Sequence, residues 1–123
     1  MAIILFVDDE DLTLKLLNQA ATILGHQALT SSSLEEALSL AKRLTPDLIV
    51  TDININGRES FGLIESLSRE EETRQIPVVT LSALEPDEVE TQARQSGAVA
   101  SLSKPIRLQT LLEVIREHTQ NVN

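Results

Sequence analysis

Pro46-Asp47-Leu48-Ile49-Val50-Thr51-Asp52-Ile53-Asn54-Ile55-Asn56-Gly57 is a short apolar run that ends on a carboxylate and passes into turn residues. Leu48, Ile49 and Val50 are apolar without alternation, the pattern of a strand covered on both faces. Strands of this kind belong to parallel sheets, which place their chemistry at the strands' carboxyl ends. Asp52 stands at that end. Taken alone, an Asp after a strand is equally a turn residue or a helix cap, so its meaning depends on the segments around it.

Upstream, Ala2 to Val7 is a second unalternating apolar run, read as a central strand, and Asp8-Asp9-Glu10-Asp11 follows it. A helix then carries Leu12, Leu16 and Ile23 with Leu14, Leu17, Ala21 and Leu24 on one broad apolar stripe. Gly25 closes it as a left-handed cap. Gln27 to Ser31 is a weaker strand, poor in β-branched residues and suited to a sheet edge. Ser33-Leu34-Glu35-Glu36 is a capping box, and Leu34, Ala37, Leu38 and Ala41 form the face of a helix that Thr45-Pro46 stops. Downstream, Phe61, Ile64 and Leu67 recur at helical spacing, and Glu70-Glu71-Glu72 reads as solvated surface. Ile76 to Leu81 is a strand, with Pro77 near its start where a missing N–H is tolerated. A helix with a thin apolar face, Val89 and Ala93, runs from Pro86 to Ser96 and ends at Gly97. Val99 to Leu102 is a last strand, and Ile106 to His118 a last helix carrying Leu108, Leu111, Leu112 and Ile115.

Strict alternation of buried strands and helices specifies an α/β fold: a five-stranded parallel sheet with helices on both faces. Right-handed crossovers leave the flavodoxin-like strand order 2-1-3-4-5 as the leading topology, with the poor second strand at an edge. The 123 residues suit one domain, spanning 1–123. With no Trp or Tyr and only Phe6 and Phe61, the core must be aliphatic. Ten basic against nineteen acidic side chains give a formal charge of −9, which argues against a direct nucleic-acid surface or a polybasic membrane patch. The absence of cysteine removes disulfide and thiolate chemistry and suits a cytoplasmic protein. The apolar start is too short for a membrane span and has no basic flank, so it is not a signal peptide either.

All strand ends of this topology open on one edge. Asp8 and Asp9 follow the first strand, Asp52 the third, Ser82 the fourth and Lys104 the fifth. Carboxylates brought together repel, and a hard divalent cation holds them ionised; oxygen donors without His or Cys suit Mg²⁺ or Mn²⁺. Because Mg²⁺ keeps waters and engages phosphate oxygens, phosphoryl chemistry is the first expectation. Singly, each residue has a plainer reading: a favourable dipole contact for Asp8 to Asp11, a cap for Ser82, an exposed lysine at 104. Those readings do not explain why a suitable group follows every central strand.

From first strand to last helix, the chain resembles the receiver domains of bacterial two-component response regulators. The resemblance is carried by Leu5-Phe6-Val7-Asp8-Asp9-Glu10, by Pro46 to Asp52, by Pro77-Val78-Val79-Thr80-Leu81-Ser82-Ala83, and by Gly97-Ala98 with Lys104-Pro105. It implies that Asp52 accepts a phosphoryl group from a sensor histidine kinase or a histidine phosphotransfer protein. It further implies that Asp9 binds Mg²⁺ directly and Asp8 through water, with the Asp52 carboxylate and the Asn54 carbonyl completing the protein's ligands. Ser82 and Lys104 would contact phosphoryl oxygens, and the Lys104–Pro105 peptide is often cis in such domains. Such a domain is not an enzyme in the usual sense, since it catalyses only its own phosphorylation and dephosphorylation. Its output is a switched surface for a downstream protein, and movement of Ser82 could carry the helix from Pro86 to Ser96 with it.

Some positions depart from the family pattern. Ser101 stands where the family has an aromatic ring that swings inward, so a ring cannot be the switch here. Asn56 and Glu59-Ser60 replace the usual proline and Asp-Gly after the phosphoacceptor. Asn54 and Leu84 stand where the family tunes acyl phosphate lifetime. With few residues after the last helix, the sequence reads as a stand-alone receiver. Two other classes remain in view: an interaction module whose acidic pocket is never phosphorylated, and a mononucleotide binder. The second needs a phosphate-binding loop where this chain has Asp8 to Asp11, which repels phosphate.

Overall fold

The computed structural model describes residues 1–83 and 86–120, the side chains of residues 86–88 excepted. In chain order the elements are β1 (Ile3–Val7), α1 (Asp11–Ile23), β2 (Gln27–Ser31), α2 (Leu34–Leu44), β3 (Leu48–Asp52), β4 (Asn54–Ile55), β5 (Arg58–Glu59), α3 (Phe61–Arg69), β6 (Val78–Ser82), α4 (Pro86–Ser96), β7 (Ala100–Ser103) and α5 (Leu108–Thr119). The main sheet has the order β2-β1-β3-β6-β7, and all its pairings are parallel. This is the expected 2-1-3-4-5 order, with β2 at an edge.

Both faces of the sheet are buried, which is why its central strands are apolar without alternation. Ile4, Phe6, Leu48 and Val50 pack against Leu17, Ala20 and Ala21 of α1 and Leu111 and Ile115 of α5. Leu5, Val7 and Ile49 face the other way, onto Ala37 and Ala41 of α2, Ile64 and Leu67 of α3, and Val89 and Ala93 of α4.

Local signals act as their chemistry dictates. Gly25, just past α1, has φ +77°, a conformation glycine adopts without the Cβ penalty. Ser33 Oγ accepts the Glu36 N–H at 3.1 Å, one half of the capping box, while the Ser33 N–H donates to Ser31 Oγ at 3.2 Å. Two expectations need correction. Leu12 and Ile23 are 79% and 53% exposed and do not join the α1 stripe. At about 100° per residue they lie roughly 120–140° around the helix from buried Leu17, beyond what one sheet face covers. The second concerns the segment after Asp52, where an antiparallel β4–β5 hairpin pairs Asn54 with Glu59 and Ile55 with Arg58. Asn56 and Gly57 form its tip with φ +53° and +81°, the two positive values of a type I′ turn.

Candidate functional site

Three backbone ladders continue one residue past their strands and place the polar groups. The Asp8 N–H donates to the Ser31 carbonyl at 3.1 Å, Ile53 N–H to Leu81 at 2.8 Å, and Lys104 N–H to Ser82 at 2.8 Å. Val7 pairs with Thr51, so Asp8 and Asp52 end neighbouring strands side by side. Ser82 pairs with Ser103, which brings Lys104 to the same edge. The Lys104–Pro105 peptide is cis.

Lys104 Nζ is the hub. It lies 2.8 Å from Asp52 Oδ2, 3.1 Å from Asp8 Oδ2 and 2.8 Å from Glu10 Oε1. The remaining oxygens of the buried pair accept backbone donors: Asp8 Oδ1 from Glu10 N–H at 2.9 Å, and Asp52 Oδ1 from Asn54 N–H at 3.3 Å. The Asp8 side chain is fully buried, and the Asp52 and Lys104 side chains nearly so, whereas Glu10 is 62% exposed. Burial pushes the Asp8 carboxyl above its usual range, against the opposing pull of the Glu10 amide and Lys104. Burial also works against the Lys104 ammonium, but its hydrogen bonds to Asp52, Glu10 and Asp8 outweigh that and raise its pKa. Lys104 is therefore a permanent cation.

Beside this hub a crevice of about 180 Å³ is lined by Glu10, Asp52, Ile53, Asn54, Ser82, Ala83 and Lys104. That is space for several groups the size of water, each of roughly 30 Å³. Ser82 is the last residue of β6 and is buried. Asn54 turns its side-chain oxygen to the Gly57 N–H at 2.9 Å. Carboxylate oxygens of Asp8, Glu10 and Asp52 lie within 4.8 Å of one another, and an all-oxygen donor set of this kind fits a hard divalent cation.

Asp9 is placed differently from its neighbours. It is outside that carboxylate group, and its Oδ2 accepts the Asn56 N–H at 2.8 Å. The structure thus lines one crevice with Asp52, Asn54, Ser82 and Lys104, sets the buried Asp8 against Lys104 beside them, and leaves Asp9 outside the carboxylate group. Glu10 was not singled out from the sequence. As the residue capping α1 it sits where chain direction is fixed, and that position was the available signal. The available mark of the hairpin is Asn56-Gly57 itself, although its flanks, Asn54-Ile55 and Arg58-Glu59, lack the alternating apolar residues that usually accompany it. At position 101, Ser101 Oγ and Thr80 Oγ1 share a 2.7 Å hydrogen bond across β6 and β7. The Leu84 position lies outside the described residues.

The response regulator receiver domain model matches residues 4–116. The chain belongs to the response regulator receiver family. This receiver is 32% identical over 115 residues to the polar-differentiation response regulator DivK of Brucella ovis, covering 94% of each chain. Among solved structures it superposes on a Thermotoga maritima response regulator with a TM-score of 0.87, 26% identity and 98% and 99% coverage. Against the chemotaxis response regulator CheY4 of Vibrio cholerae the TM-score is 0.89 at 24% identity, with 96% and 98% coverage, a likeness of fold. No helix among the described residues of the receiver is long and apolar enough to cross a membrane.

Proposed function

We propose that this receiver is a phosphoacceptor switch in which Asp52 takes a phosphoryl group from a protein phosphohistidine. An Asp52 carboxylate oxygen attacks phosphorus, the P–O bond forms, and the P–N bond breaks with its electron pair leaving on the imidazole. Water later attacks the same phosphorus, the P–O bond to Asp52 breaks with its electron pair staying on the carboxylate, and inorganic phosphate leaves. The observation that carries this reading is the placement of Asp52 at an open strand end, backed by Lys104 at 2.8 Å and bordered by Ser82. Lys104 stabilises charge gathering on the phosphoryl oxygens, and Ser82 offers a hydroxyl to one of them, so catalysis is largely positioning and electrostatics. Asp8, Asp52 and the Asn54 carbonyl would hold Mg²⁺ or Mn²⁺, with Asp9 turning in to join them. The bound cation supplies further charge neutralisation. In this sense the protein is not an enzyme acting on other molecules.

A sensor histidine kinase or histidine phosphotransfer protein has a surface on which to rest beside the crevice. A groove lined by Leu12, Leu16, Pro105 and Ile106 shares Glu10, Ala83 and Lys104 with the site. The exposure of Leu12 is accounted for by such a partner. The acyl phosphate adds nearly two negative charges. Ser82 drawn toward it would shift the following loop and α4, changing the surface offered to a downstream protein in the cytoplasm.

The test is intact mass after incubation with a small acyl or amido phosphate donor, with and without Mg²⁺, beside Asp52→Asn. A single cation-dependent adduct, absent from the variant, is expected. No adduct under any condition would favour the unphosphorylated interaction module instead. The observation on that side is that Lys104 already satisfies three carboxylates.

A further inference from the structure

The β4–β5 hairpin is tied down at its tip and on its flank. Asn56 N–H donates to Asp9 Oδ2 at 2.8 Å, and the Asn56 side-chain amide donates to the Ser32 carbonyl at 3.0 Å. Arg58 pairs with Glu35 on α2, and Ile55 is buried beneath. The type I′ tip is itself held by the Gly57 N–H on Asn54 Oδ1. The hairpin therefore bridges the crevice rim, the loop after β2 and the surface of α2.

Asp9 connects this bridge to the crevice, and its carboxylate oxygen at the amide stays outside the group formed by Asp8, Glu10 and Asp52. Turning Asp9 inward takes Oδ2 off the Asn56 amide. The two places exclude each other for that oxygen. We infer that the hairpin is a latch competing with the crevice for Asp9, so that cation binding unseats the hairpin tip and a seated tip weakens cation binding. This rests on the reading of the crevice as a divalent-cation site and adds a control of its affinity, read out on the α2 side.

The energetics fit a latch of modest strength. The Asp9–Asn56 hydrogen bond is charge-assisted but lies at an exposed rim, where water and salt screen it. A further sign of imperfect seating is Ser60 at the hairpin's base, whose hydroxyl is the buried side-chain polar atom left without a partner among the described residues. An arrangement that carries such a group has something to gain by shifting.

The test titrates Mg²⁺ alone, without phosphodonor, by calorimetry and by amide NMR on the whole chain. Gly57→Val loosens the tip: φ +81° is strained for a β-branched residue, yet a Cβ there meets nothing within 4 Å. It should bind Mg²⁺ about three- to tenfold more tightly than wild type, as expected when a competing state is weakened. Asn56→Gly keeps the turn and the N–H donor, since Gly suits type I′ turns, but removes the amide on the Ser32 carbonyl, so it should tighten Mg²⁺ binding in the same direction as Gly57→Val and by less. Arg58→Ala, milder in its effect on folding, should move affinity in the same direction as Gly57→Val. In wild type the Asn56 amide should lose hydrogen-exchange protection as Mg²⁺ is added. Unchanged or weaker binding by both Gly57→Val and Arg58→Ala, in a wild type that does bind, would overturn the latch alone. A wild type that binds no Mg²⁺ at millimolar concentration would overturn the cation-site reading and the latch with it.

Discussion

Asp8 and Asp52 end adjacent ladders of the five-stranded sheet, whereas Asp9, one residue further along, is held by a hairpin that belongs to no ladder of that sheet. The first pair is buried, with backbone donors on one oxygen and Lys104 on the other. Asp9 is exposed, and its carboxylate accepts a turn amide. Position in the first case follows from parallel register, which a substitution in a loop cannot move. In the second it depends on two residues with positive φ. One half of the site is therefore stiff and the other adjustable.

The sharpest way to break the stiff half is to remove its cation. Lys104→Met leaves Asp8 and Asp52 as buried carboxylates without a counter-ion, and breaking a buried pair in this way costs on the order of 3 kcal/mol. Urea denaturation should show that loss, while the same change paired with Asp8→Asn should recover part of it. Full recovery by Asp8→Asn alone would mean that Asp52 is less confined than its ladder suggests.

The same contrast separates what the sequence specifies from what it leaves to loop conformation. Leu48 to Val50 and Ile4 to Val7 are apolar on both faces, and only a covered parallel strand asks for that. Strand order and the edge positions of Asp8, Asp52, Ser82 and Lys104 then follow. Side-chain direction one residue beyond a strand does not, because it depends on loop conformation. Hence Glu10, and not Asp9, meets Lys104. The apolar stripe of α1 is wider than its buried face for a related reason: Leu12 and Ile23 are apolar, but hydrophobicity alone does not say which face the sheet takes. The hairpin was legible in Asn56-Gly57 and was hidden by its short strands, whose two residues each give no periodicity.

Ser60→Ala probes the adjustable half from below. Deleting a buried hydroxyl that has no partner among the described residues removes its desolvation cost, so stability should rise by about 1 kcal/mol. A loss in the denaturation midpoint would mean that the hydroxyl is paired in solution and the hairpin is firmly seated.

Glu10 lies between the halves, anchored to Lys104 yet 62% exposed. Glu10→Gln should leave stability within about 0.5 kcal/mol, the range of most surface changes. Its effect belongs to the approach of an anion: phosphorylation by a small donor should speed up about two- to fivefold at low salt and converge with wild type as salt rises. A salt-independent slowing would instead place Glu10 among the groups that hold the cation.

The smallest effect is expected at the opposite end of the sheet. There the first N–H groups of the chain are closed by side chains: Ala2 donates to His26 Nδ1 at 3.0 Å and Ile3 to Asp47 Oδ2 at 2.8 Å. Burial, then the positive amino terminus, lowers the His26 pKa from its ordinary 6.5, with Asp47 pulling the other way. An imidazolium has two donors and no acceptor, so protonation must break the bond from Ala2. Since the folded state binds this proton less readily than the unfolded chain does, stability is fully present above pH 6.5 and is lost as pH falls through the folded-state value. Urea midpoints between pH 8 and 5 should show this slope in wild type and a shallower one in His26→Gln, whose carbonyl accepts at every pH. Equal slopes would assign the acid sensitivity to the carboxylates at the carboxyl end of the sheet. Asp8 works against that assignment, because its raised pKa makes the fold gain rather than lose stability as it protonates.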